Sequence, residues 1–256
     1  CRLSIVSAIL FCKIDSITII FAVLNNYLKL ALNSNMNALN ITISAKLYSK
    51  NPDETELGRR ILSKSIALMD ELGYEQLTFK KVAREIISTE SGVYRYFQNK
   101  HQLLTYLINW YWGWLEVKMA QEFMLLNSPE EKLKRAIQLL VLPMDQDERI
   151  PHIDERALQR MVVAEYPKIY LTKDVDQENK EGYFLGYKQI CETLSQLALQ
   201  INPGYPYPHS LFATIIEAAQ SQQFFAEHLP RLSDSSGSKE EIVHFLTDMT
   251  LKSLYD

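Results

Sequence analysis

LTFKKVAREIISTESGVYRYFQNKH, residues 77–101, holds two short helical patterns with almost nothing between them. In the first, Phe79, Val82, Ala83 and Ile86 recur at helical spacing. Thr78 precedes it, and a threonine hydroxyl there can accept from a backbone N–H of the first turn. The second pattern runs from about Glu90 to Phe97, with Val93, Tyr94 and Phe97 on one side and Ser88 or Thr89 as cap. A join of about two to four residues forces a sharp angle between two such helices, as in a helix-turn-helix. Helices this short are marginal alone in water, so a third element must hold them. Residues 52–72 are the candidate. Asn51-Pro52-Asp53-Glu54 reads as a helix start, with Asn as cap, Pro at the first position and acids in the first turn. Gly73 reads as its stop, and Ile61, Leu62, Ile66, Leu68, Met69 and Leu72 form its apolar face.

Within residues 59–104, Gly73, Thr78, Val82-Ala83, Tyr94, Phe97 and Lys100 fall in one register. That segment resembles the DNA-binding domain of TetR-family regulators. The departure is Ile87, where the family usually carries Gly in the turn. Gly takes a positive φ at little cost and a β-branched residue does not, so the turn is expected to be longer or differently shaped. The resemblance implies that Thr78, Tyr94 and Lys100 meet phosphates, that Tyr96 takes a frequent His position, and that Phe97 is core. A major groove admits one helix, and the early residues of that helix face base edges. Here these are Thr89, Glu90 and Ser91, with Arg95 further along; Glu90 can accept from cytosine N4, or Thr89 and Glu90 can simply cap the helix. With Ser88 in the turn, the expected DNA-binding set is Thr78, Ser88, Thr89, Glu90, Ser91, Tyr94, Arg95, Tyr96 and Lys100.

Composition fits this reading. The chain is 47% apolar and 23% charged, with only 8 Gly in 256 residues, which favours an all-α fold. Net charge is −4. Residues 105–256 are strongly acidic, whereas in 77–101 Lys80, Lys81, Arg84, Arg95 and Lys100 outweigh Glu85 and Glu90. The positive charge is local to the expected DNA face, where counterion release acts. Cys1, Cys12 and Cys191 lie far apart and suit a reduced, cytoplasmic setting rather than a metal site.

Residues 1–50 are expected to be an N-terminal extension. The apolar run in 1–35 is interrupted by Lys13 and Asp15, which leaves Ser16–Leu28, short of the roughly 20 residues a bilayer span needs. A native start at Met36 is expected; an N-terminal membrane-associated helix is the alternative. Residues 36–50 would form a short flexible arm, with Lys46 and Lys50 expected to be solvated and phosphate contact as the alternative.

The domain division expected is 51–103 for the DNA-binding domain and 104–256 for a helical domain. The latter opens with a long helix from Asn99 to about Leu126 that holds Trp110, Tyr111, Trp112 and Trp114. Trp110 and Trp114 share a face, and with Tyr111 they are read as the wall of a ligand pocket or as core. Ser128-Pro129-Glu130-Glu131 and Ser238-Lys239-Glu240-Glu241 read as capping boxes. Further helices are expected at about 152–165, 176–201, 208–228 and 239–254, with a polar linker at 166–182. By the resemblance, this domain binds an apolar or amphipathic effector and forms a homodimer through its last two helices. The chain would then repress by binding a palindromic operator. Control by a protein partner, or tethering to a membrane, are the other readings. His152, Asp154 and Glu155 cluster without a second ligand set, and no catalytic motif is present, so neither enzyme activity nor a cofactor is expected.

Overall fold

The computed structural model describes residues 41–235 and 237–255. The expectations for a start at Met36 and for a tethering segment in 1–35 lie outside the described residues. Regular structure among the described residues is entirely helical.

Helix α1 (Glu56–Leu72) supports α2 (Phe79–Glu85) and α3 (Glu90–Tyr94). Leu62, Val82, Val93 and Phe97, all fully buried, fill the space between them. Each helix begins at a threonine in extended backbone: Thr55, Thr78 and Thr89 accept from the N–H of Gly58, Lys81 and Gly92. The cap of α1 is therefore Thr55 and not Asn51. The physical reason is a competing turn: the Asn51 side chain accepts from Asp53 N–H, and Asp53 turns inward to accept from Tyr106 and to meet His152 at 3.1 Å.

Helix α4 (Lys100–Phe123), capped by Asn99, is the spine. From Leu103 to Leu115 every residue is buried, so it has no solvent face. Helices α5 (Pro129–Val141), α6 (Glu155–Glu165), α9 (Leu185–Ile201) and α10 (Pro208–His228) surround it or one another, and α11 (Lys239–Tyr255) closes the far side against α5 and α10. The capping box at Ser128 forms as expected, with both reciprocal hydrogen bonds to Glu131. Gly186 on α9 lets that helix press against α4; an added Cβ there would stand 3.2 Å from Trp112 Cβ. The expected boundary between residues 103 and 104 falls inside α4.

Two stretches differ from expectation. The linker at 166–182 contains α7 (Pro167–Tyr170) and α8 (Val175–Lys180). Tertiary contacts hold these turns: Ile169 is fully buried, and Glu178 accepts from or pairs with His101 of α4 at 2.7 Å. Gly182, at φ +81°, then delays the start of α9 to Leu185.

Residues 41–50 are packed rather than free. A short 3-10 turn (Ala45–Leu47) lies on α4, Ser49 N–H donates to Tyr96 O, and Ser44 hydroxyl donates to Glu181 O. Leu47 is 0% exposed and Tyr48 meets Tyr106 edge-on at 5.8 Å. Lys50 lies over the Tyr96 ring. Leu47→Ala should accordingly destabilise the protein by about 2–5 kcal/mol in a denaturant titration; a free arm would give no change.

Candidate functional site

The turn between α2 and α3 sets the exposed face. Ile87 adopts φ +51° and is 91% exposed. Its N–H donates to Arg84 O, and Ser88 N–H donates to Ala83 O. This is the paired bond pattern of a Schellman motif with Ile in the position that usually belongs to Gly. The chain keeps the turn a glycine would make and accepts the strain of a β-branched residue in left-handed backbone, instead of lengthening the turn as the sequence suggests. Arg60 of α1 donates to Ile86 O and fixes the end of α2. Gly92 allows α3 to sit close behind the turn, since an added Cβ would stand 2.9 Å from Ser88 Oγ. A glycine inside so short a helix is itself the sequence signal of that close approach.

Thr78, Thr89, Glu90, Ser91 and Arg95 are exposed, and Ser88 is half-buried in the turn. Thr89 Oγ1 both accepts from Gly92 N–H and lies 3.0 Å from Ser91 Oγ. Tyr94 is 50% exposed and leans its ring on Phe79 at 4.9 Å. Lys80, Arg84 and Arg95 are exposed beside them. Lys100 is more engaged: its ammonium donates to Tyr74 O and Glu75 O at 3.3 Å each and stands 4.3 Å from the Tyr74 ring centroid. A carboxylate oxygen of Glu75 stands 4.0 Å from it as well. Tyr96 is a correction. It is 2% exposed, with its hydroxyl 2.8 Å from Thr55 Oγ1, so it braces the start of α1 and does not reach the exposed face.

Trp110, Tyr111 and Trp114 are all buried in the spine. Trp114 Nε1 has no hydrogen-bond partner among the described residues, and Lys118 lies over its ring at 5.3 Å. Tyr111 hydroxyl faces the Gln220 side chain without closing a hydrogen bond, and burial pushes its pKa up, with Gln220 pulling partly back. Trp112, between them in sequence, stands at the centre of an aromatic group. Its ring packs with Tyr111 at 4.8 Å and Tyr187 at 5.2 Å, and Nε1 donates to Tyr170 hydroxyl at 3.0 Å. Tyr170 in turn meets Tyr187 and Phe184. Glu217 of α10 accepts from Tyr166 at 2.7 Å and Tyr187 at 3.3 Å. Burial and that carboxylate push the Tyr166 phenol up to about 12. The group is drawn from α4, α6, α7, α9 and α10, so no local pattern announces it.

Two clefts of about 430 and 400 Å³ lie elsewhere, on either side of α11. The first is lined by residues such as Gln138, Val243 and Leu251, the second by Leu232, Ile242 and Phe245. Neither includes Trp110, Tyr111 or Trp114. Among the described residues no group of His, Cys, Asp and Glu is placed to hold a metal ion, and no helix is long and apolar enough to cross a membrane.

Residues 61–107 match the bacterial regulatory proteins of the tetR family. The helix-turn-helix is of the tetR family. The match covers α2, α3 and most of α1, so it is this segment that carries the family's helix-turn-helix pattern. A search of curated proteins finds no match by sequence. Solved structures share the wider fold. AibR, in complex with isovaleryl coenzyme A and operator DNA, is 18% identical at a TM-score of 0.52, covering 76% of this chain and 97% of its own. A transcriptional regulator from Saccharomonospora viridis, in complex with choline, is 14% identical at 0.55, covering 75% and 93%. A superantigen, PfiT, is 15% identical at 0.52, covering 78% and 97%. At these identities the likeness concerns the fold.

Because Ile87 stores the strain of the turn and buries almost nothing, Ile87→Gly should raise stability by about 1 kcal/mol in thermal or denaturant unfolding. A loss of stability would mean that the turn is relaxed.

Proposed function

We propose that the protein is a ligand-responsive repressor that binds a palindromic operator as a homodimer. The observation that carries the reading is the exposed edge of α3. Thr89, Glu90, Ser91, Tyr94 and Arg95 are exposed on or beside a helix whose other side is buried through Val93. The helix inserts its first turn into the major groove, and Thr78, Tyr94 and Lys100 take backbone phosphates, positioning the protein rather than reading sequence.

Dimer formation rests on α10 and α11. Phe245 is exposed, with Leu229 and Leu232 near the cleft beside it. An apolar face of this kind at the end of the fold suits a twofold pairing, in which the same patch serves both protomers. Two heads on such a dimer read half-sites about one helical turn apart. The choline and isovaleryl coenzyme A bound by two structures of the same fold support a small-molecule effector in the C-terminal helices. The expected division at residue 103 is retained as a functional one: the head ends where α4 enters the core.

Selection from a random DNA pool with the full chain should return a palindrome, and sedimentation should give a dimer; an asymmetric site or a monomer on DNA would refute the reading. Lys100→Ala should weaken binding to every sequence and lower the salt slope by about one charge. An unchanged slope would assign Lys100 to bracing Tyr74 alone.

A further inference from the structure

The half-buried carboxylate of Glu217 has two phenol hydroxyls as hydrogen-bond partners, and among the described residues no ammonium, guanidinium or imidazole pairs with it. The rings of Tyr166, Tyr170, Tyr187 and Trp112 are linked beside it in a chain of contacts between 5.2 and 6.3 Å. Tyr170, Tyr187 and Glu217 are each only partly buried, so the group opens to solvent, while Trp112 and Tyr166 form its depth. One helical turn on from Glu217, Gln220 is 0% exposed and both polar atoms of its amide lack a partner. A buried amide without a close partner is costly, and here the nearest polar group is the Tyr111 hydroxyl.

Negative charge and aromatic faces together have one electrostatic complement. Ring quadrupoles attract a cation that is weakly hydrated, and a carboxylate with no basic partner supplies the counter-charge. An inorganic ion would need a denser oxygen shell than one carboxylate and phenols give. A neutral apolar ligand would leave Glu217 desolvated without compensation. We infer that this group binds an organic ammonium ion, its head against the carboxylate of Glu217 and the partly exposed rings of Tyr187 and Tyr170. Tyr187 releases its 3.3 Å hydrogen bond to admit the head, whereas the 2.7 Å bond from Tyr166 persists. The inference names the effector class of the regulator proposed above and rests on that reading for its consequence, though not for binding itself.

The test uses the full chain, choline as probe and 3,3-dimethyl-1-butanol as its neutral isostere, with tryptophan fluorescence and calorimetry as readouts. Choline should bind at least about tenfold more tightly than the isostere, the cation–π and charge contributions being lost together in the latter. Glu217→Gln should weaken choline by at least about tenfold. Tyr187→Phe, which keeps the ring, should retain binding, and Tyr187→Leu should lose it. Equal affinity for choline and the alcohol, or no binding of either by the folded wild-type chain, overturns the inference without need of any variant. So does a Glu217→Gln protein that binds choline unchanged. Operator affinity separates the two readings. Choline binding with the stated pattern but without change in DNA affinity leaves the site standing and removes the ligand-responsive repressor. Release of DNA by the neutral alcohol alone does the reverse.

Discussion

A helix that is apolar on every side can exist in water only if other elements enclose it, and α4 imposes that demand on the whole chain. Its buried run from Leu103 to Leu115 presents large rings in all directions. One side takes Tyr48 and Phe97, another takes α9 through Gly186, and a third takes α5 and α6. The ends differ in character. The first turn is polar and anchored by Asn99, His101 and Lys100 to neighbours in the head and in α8. The DNA-binding head and the core are thus not two bodies joined by a linker but two uses of a single helix.

This explains what the sequence could and could not reveal. The head was legible because its determinants are local: threonine caps, a glycine stop, and apolar residues at helical spacing over some 45 residues. The start of α1 was misread because Asn-Pro-Asp-Glu is a sound local cap, while Asp53 is recruited by Tyr106 and His152 from distant parts of the chain. The spine defeated a reading by faces, since a helix buried all round has no apolar side to find. Shared periodicity groups Trp110 with Trp114 as pocket wall or core, but spacing cannot show which tryptophan finds a polar partner. Trp112 does, through Tyr170, and that partner lies on a helix of four residues within a stretch of polar composition.

The same contrast appears in the turn. Ile87 was legible as an anomaly, and the expected response was a changed turn. The hydrogen bonds from Ile87 and Ser88 back to Arg84 and Ala83, together with Arg60 on Ile86 O, hold the turn in place regardless of the residue at its tip. Where surrounding bonds outnumber the strain, backbone geometry survives an unfavourable side chain.

Glu165 and Tyr166 are consecutive at the end of α6, yet they serve different parts of the molecule. Glu165 accepts from Tyr74 N–H in the loop before α2 and pairs with Lys168, while Tyr166 donates to Glu217. Successive residues of a helix point roughly 100° apart, so these two side chains act as spokes fixed at a set angle on one axle. Turning α6 about its axis to improve one bond must loosen the other. The Asp70–Arg160 pair, half a helix away, resists the same rotation. The helix therefore has a preferred setting shared by head and core, and occupancy on the Glu217 side cannot change that setting without being felt at Tyr74.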